Sequence, residues 1–121
     1  MLTEAVRYGH TEIASRLLDS GATTDDTDDR GWAALHYAAS VDDLEMTELL
    51  IFHDADVNQR TPYKYIPLHI SAREGNEAVS IRLVEAGSDI FAEIDVGLTP
   101  KDLAEQYPEI QDMLDRAASA K

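Results

Sequence analysis

The chain has 121 residues, with 24 Asp and Glu against 10 Lys and Arg and a formal net charge of -14, a length that fits one domain. An acidic surface repels phosphate, so nucleic acid is not an expected partner; the charge serves solubility or steers a basic protein. With no cysteine there is no disulfide or thiolate metal site, and no apolar run nears the ~18 residues that suggest a membrane span.

Taken in chain order, the residues predict four helix pairs, at approximately 2–20, 34–53, 67–86 and 100–116. In the first, Thr3, Glu4, Arg7 and Arg16 supply polar positions suited to the end of a stack. The second begins at Ala33-Ala34, without a hydroxyl cap or a proline, and carries Asp42 and Asp54 where the neighbouring pairs carry glycine. Asp enters the left-handed region less readily than Gly.

The third pair is the most legible. Pro67 suits a first helical turn, and Leu68, Ser71 and Ala72 mark one buried stripe with room for a close neighbour. Gly75 fits a left-handed C-terminal cap. A second helix from about Glu77 to Ala86 turns Val79, Leu83 and Val84 inward, and residues 88–98 form an extended hairpin loop. The fourth pair starts at Pro100, with Glu105, Gln106, Gln111 and Asp112 as polar end positions and a frayed tail from Ala117 to Lys121.

The pairs are copies of one another. A shift of 33 aligns Leu2, Leu35 and Leu68; Leu17, Leu50 and Leu83; and Gly21, Asp54 and Gly87, with no gap, and a shorter fourth copy begins at Gly97. With this period, the pieces Leu35-His36, Pro67-Leu68-His69 and Thr99-Pro100, and the hairpin entry Ala55 to Asn58, the chain resembles an ankyrin repeat protein. The resemblance implies an all-α fold, an ankyrin-repeat solenoid of antiparallel helix pairs with projecting hairpin loops. It implies one domain over residues 1–121, with repeats at approximately 1–27, 28–60, 61–93 and 94–121. It also implies that His36 and His69 bond to backbone, and that Asn58 occupies a hairpin position sometimes hydroxylated in animal cells. In repeat three, Lys64 stands in the register of Gly31 and Gly97, and the stretch from Arg60 to Tyr65 keeps no family turn residue. In repeat four, Lys101 and Asp102 replace the Leu and His of the motif.

Chemistry is not expected. No histidine pair has the i, i+4 spacing of a helical zinc site; His10 and His53 fall beside helix ends. The acidic run from Asp25 to Asp29 lacks the closing carboxylate of a calcium loop, and Asp28 reads as a turn residue leading to Gly31. The reading is a non-enzyme without cofactor or metal: an adaptor, scaffold or inhibitor that binds a folded protein. The alternatives are a regulatory or structural segment of a larger protein, and an acidic inhibitor occupying a basic site. A monomer in the cytoplasm is expected, with the nucleus or non-classical secretion left open.

In ankyrin proteins partners dock on hairpin tips and on the inner face of each first helix. By register the tip residue is Trp32, Tyr65 and Leu98, with Arg30, Tyr63, Lys64 and Val96 alongside. The helix face supplies Arg7-Tyr8, Ser40-Val41, Arg73-Glu74 and Gln106-Tyr107. The expected binding set is therefore Tyr8, Arg30, Trp32, Val41, Tyr63, Lys64, Tyr65, Arg73, Val96, Leu98 and Tyr107. Aromatic residues and arginine are the usual interface anchors.

Overall fold

Eight helices stack in pairs in a computed structural model that describes residues 2–120. They are α1 (Leu2–Arg7), α2 (Thr11–Asp19), α3 (Ala34–Ser40), α4 (Leu44–Phe52), α5 (Pro67–Glu74), α6 (Glu77–Glu85), α7 (Pro100–Leu103) and α8 (Pro108–Ser119). Among the described residues the only strand-like pairing is one antiparallel bridge between Thr27 and Ala33. The expected all-α solenoid is what forms. Met1 and Lys121 of the expected domain lie outside the described residues.

Side-chain size explains how the pairs stack. The first helices α1, α3, α5 and α7 form one row and pack on one another more closely than the second helices do. Their facing positions carry Ala5, Ala38, Ala39, Ser71, Ala72 and Ala104, all buried, and small side chains shorten the interaxial distance. The larger Met46, Leu50, Val79, Leu83, Ile110 and Leu114 fill the space between the two rows.

Local sequence sets the ends of these helices. Pro67 and Pro100 open α5 and α7, and Gly75 closes α5 at φ 78°. Asp42 and Asp54 take the same left-handed backbone at φ 57° and 65°, as their alignment with glycines requires. Thr99 and Asp102 cap α7 reciprocally: the Thr99 N–H donates to Asp102 Oδ2 at 3.0 Å and the Asp102 N–H to Thr99 Oγ1 at 3.3 Å. In α3 and α5 a histidine does one half of this. The Ala33 N–H donates to His36 Nδ1 at 3.1 Å and the Ile66 N–H to His69 Nδ1 at 3.0 Å. Asp102 thus keeps the capping role of the motif histidine it replaces.

The three hairpin turns share the same two backbone hydrogen bonds. Asp28, Thr61 and Ile94 each accept from the residue three positions on (Gly31, Lys64, Gly97) and donate to the residue four on (Trp32, Tyr65, Leu98). The middle hairpin thus forms the same turn with Thr61 in the place of Asp28. Thr61 Oγ1 accepts from the Tyr65 N–H at 3.2 Å, as Asp28 Oδ1 accepts from Trp32 at 3.1 Å. Lys64 supplies the left-handed step at φ 71° that glycine supplies in the other two.

The fourth unit departs from the 33-residue register. Helix α7 is only four residues long, and Tyr107 is the N-cap of α8, the place Asn76 holds before α6 and 31 residues from it. Two residues are missing between the paired helices, so Gln106 and Tyr107 do not extend the first-helix face. The tail also differs from expectation: α8 continues to Ser119, with Ala117 and Ala118 packed on the core.

Candidate protein-binding edge

Each hairpin turn places two residues at its apex, and the second of these is Arg30, Tyr63 and Val96. Tyr63 is 68% and Val96 71% exposed, and Arg30 is exposed as well. The residue two further on belongs to the returning segment and turns inward. Trp32 and Tyr65 are half-buried against the core, whereas Leu98 is 39% exposed. The Trp32 ring lies 5.0 Å from Tyr37 and 5.9 Å from His36, and the Tyr65 ring 5.8 Å from His69. Arg30, Tyr63 and Val96 thus stand at the apex, and Trp32 and Tyr65 pack beneath it.

Neighbouring tips are tied together. The Asp95 N–H donates to the Tyr63 carbonyl at 3.0 Å, and Arg60 Nη1 bridges the Lys64 and Glu93 carbonyls at 2.8 and 2.9 Å. The equivalent of Asp95 in the preceding hairpin is Pro62, which has no N–H. Its ring lies against Gly31, where a Cβ would come within 2.3 Å of Pro62 Cδ. Glycine is therefore required at Gly31 for the close approach as well as for its φ of 78°.

On the first-helix side, Tyr8 (63% exposed), Val41 (49%) and Arg73 face solvent. Arg73 sits over the Tyr65 ring at 5.5 Å with Nε 3.2 Å from Glu74 Oε2, so a cation and a ring share one surface. Arg7 lies between two rings, 5.4 Å from Tyr8 and 5.6 Å from Tyr37. Tyr37 and its partner Asp28, which accepts from the Tyr37 hydroxyl, were not among the expected edge residues. Their signal was the register itself, since Tyr37, buried like Ile70 one period on, carries a polar tip in its place. Burial pushes the Asp28 carboxyl up, but the Tyr37 hydroxyl and the N–H groups of Trp32 and Arg30 outweigh it and hold it below its usual value. Lys64 is exposed at the middle tip, and Tyr107 is half-buried with its ring lying over Gly75.

The histidines and Asn58 do structural work across units. His36 Nε2 donates to the Gln59 and Tyr65 carbonyls at 2.9 and 3.0 Å, and His69 Nε2 to the Ala92 carbonyl at 2.8 Å. With Nδ1 accepting from backbone, neither ring has a free nitrogen, and burial holds both below the ordinary histidine range. His53 ends α4 with Nε2 3.8 Å from Asp19 Oδ1, and His10 precedes α2. Asn58 accepts from the Asp89 N–H at 2.7 Å and donates to the Gly87 carbonyl at 3.2 Å.

Comparison with known proteins agrees with this architecture. The family model described as ankyrin repeats (3 copies) matches residues 2–94, which leaves α7 and α8 beyond it. Protein phosphatase 1 regulatory subunit 27 of Mus musculus is 31% identical over 116 residues, 95% of this chain and 74% of that protein. The Homo sapiens protein of that name is 36% identical over 84 residues, 69% of this chain and 54% of its own length. Ankyrin repeat and SOCS box protein 3 of Homo sapiens is 33% identical over 88 residues, 70% of this chain but 17% of that protein. The chain, with its tied hairpins and motif histidines, belongs to the ankyrin repeat family.

Proposed function

We propose that this chain is a non-catalytic protein-binding module, a monomeric single domain acting in the cytoplasm, that holds a folded partner along its hairpin tips and first helices. The observation that carries the reading is the exposure of Tyr63 (68%) and Val96 (71%) at consecutive tips, beside Arg30. No packing role accounts for an aromatic and a β-branched side chain at the apex of a turn, and exposed apolar residues in one row mark interaction surfaces. Around that row, Tyr8, Val41, Lys64, Arg73 and Leu98 complete the contact surface. Trp32 and Tyr65 contribute their outer edges and hold the tips in place.

A partner captured from the source organism and purified provides the test. Tyr63→Ala with Val96→Ala should weaken its binding at least tenfold, whereas Glu85→Ala on the second-helix side should leave it within about twofold. Loss with Glu85→Ala and none with the tip variant puts the partner on the other face and ends this reading. A narrower role is favoured by the similarity to a regulatory subunit of protein phosphatase 1 across 95% of this chain. In that reading the partner is an enzyme this chain regulates, and purified protein phosphatase 1 titrated against the same variants tests it.

A further inference from the structure

Exposed apolar side chains in this stack are of two kinds. Ile13 is 52% exposed while its register equivalents Met46 and Val79 are completely buried, because α2 is the outermost of the second helices. Val41 (49%) and Leu44 (39%) belong to the second unit, which has a neighbour on each side, so the end of the stack does not explain their exposure. The equivalents of Leu44 are Thr11 and Glu77, both polar. Val41 and Leu44 join Tyr8 around a cleft of about 440 Å³ between the α1–α2 and α3–α4 turns, walled also by Arg7, Asp42 and Asp43.

Asp42 has no local reason to be an aspartate. Its backbone holds φ 57° where Gly9 and Gly75 hold 75° and 78°, a conformation that costs a residue with a Cβ more than it costs glycine. Its carboxylate is exposed and forms no ion pair among the described residues. Asp43, by contrast, is used within the fold, its Oδ1 accepting from the Met46 N–H at 3.0 Å. Arg7 is held by the Tyr8 and Tyr37 rings at 5.4 and 5.6 Å. Backbone strain kept for a side chain without a local partner points to a contact outside the chain.

We infer that this cleft receives a lysine or arginine side chain of the bound protein, its stem over Tyr8, Val41 and Leu44 and its charged head on Asp42. The inference rests on the protein-binding role proposed above and gives that surface a charge preference. Basic side chains combine an apolar stem with a charged tip, and the cleft offers the complement of both. An apolar occupant would strip water from Asp42 and leave its charge unpaired. An acidic one would meet that carboxylate and a net charge of -14, which also disfavours a second copy of this chain.

A library of random short peptides displayed on phage and selected on the whole chain supplies the probe. Enriched peptides should pair a lysine or arginine with an apolar neighbour and, once synthesised, shift the amide resonances of Tyr8, Val41 and Leu44. Asp42→Asn keeps the shape of the side chain and suits the left-handed backbone, and should weaken these peptides about fivefold or more. Glu85→Gln removes the same charge from the second-helix side and should change their affinity by less than about twofold. Peptides bound equally well by Asp42→Asn, enriched peptides without a basic residue, or a selection that yields no cleft binder overturn the inference. So does equal weakening by Glu85→Gln, which would mean diffuse attraction to an acidic surface. Neither variant touches Tyr63 or Val96, so the cleft and the tip row stand or fall separately.

Discussion

Asp42, Asp54 and Lys64 hold φ between 57° and 71°, a region in which a Cβ costs energy and glycine is indifferent. Asp42→Gly, Asp54→Gly and Lys64→Gly should each stabilise the fold, by up to about 1 kcal/mol once the greater freedom of glycine in the unfolded chain is subtracted. Asn at the two Asp positions separates backbone from charge; a denaturant midpoint no higher for Gly than for Asn at both would remove the backbone explanation. The buried histidines act in the opposite direction under acid. His36 and His69 titrate below the ordinary 6.5 in the folded chain, so the unfolded state binds the extra protons. Their contribution is complete above about pH 6.5 and is lost as pH falls through that value towards the folded pKa. Melting temperature should therefore drop between pH 7.5 and 5.5, a window above the carboxylate range; a flat profile would mean that the rings are protonated without loss.

At the scale of helices, Leu50 is one of the side chains that join the two rows. Leu50 in α4 is fully buried, and its equivalents Leu17 and Leu83 occupy the same place in α2 and α6. Leu50→Ala removes a side chain from a position that close packing on both sides keeps from collapsing, at a cost of about 2–5 kcal/mol. That is a large share of the stability of a domain this small, and because each unit touches only its neighbours the loss should propagate through both interfaces of the second unit. Urea melts followed by circular dichroism measure it; a midpoint equal to that of the unsubstituted protein would contradict the packing described.

Charge belongs to the whole molecule. On the second helices Glu12, Glu45, Glu48, Glu77, Glu85, Glu109, Asp112 and Asp115 are exposed, and few have partners among the described residues: Arg16 pairs with Glu12, Arg82 reaches across units to Glu48, and Lys101 meets Asp115 at 2.8 Å. A net charge of -14 left largely unpaired on a chain of 121 residues repels itself in the compact state. Raising sodium chloride from about 0.01 to 0.15 M shortens the Debye length from roughly 30 to 8 Å and should raise the melting temperature. A fall would show that the ion pairs outweigh the repulsion.

The 33-residue period, the helix pairs and the left-handed positions at Asp42 and Asp54 are properties of the sequence by itself, and the backbone role of His36 and His69 is what the family resemblance implies. Each depends on residues within one unit or on exact register between units, and both survive in a linear text. Tertiary structure alone decided which row reaches the apex. Arg30, Tyr63 and Val96 stand two residues from Trp32, Tyr65 and Leu98, and register treats the rows alike. Only the closed turn separates the central residues that project from the returning ones, of which Trp32 and Tyr65 fold under. The same holds for Tyr107, displaced by two missing residues in a unit whose remaining matches kept the period, and for Ile13, which no local pattern distinguishes from Met46 or Val79. Exposure in a stacked repeat is set by what lies one unit away, and that neighbour exists only in the folded chain.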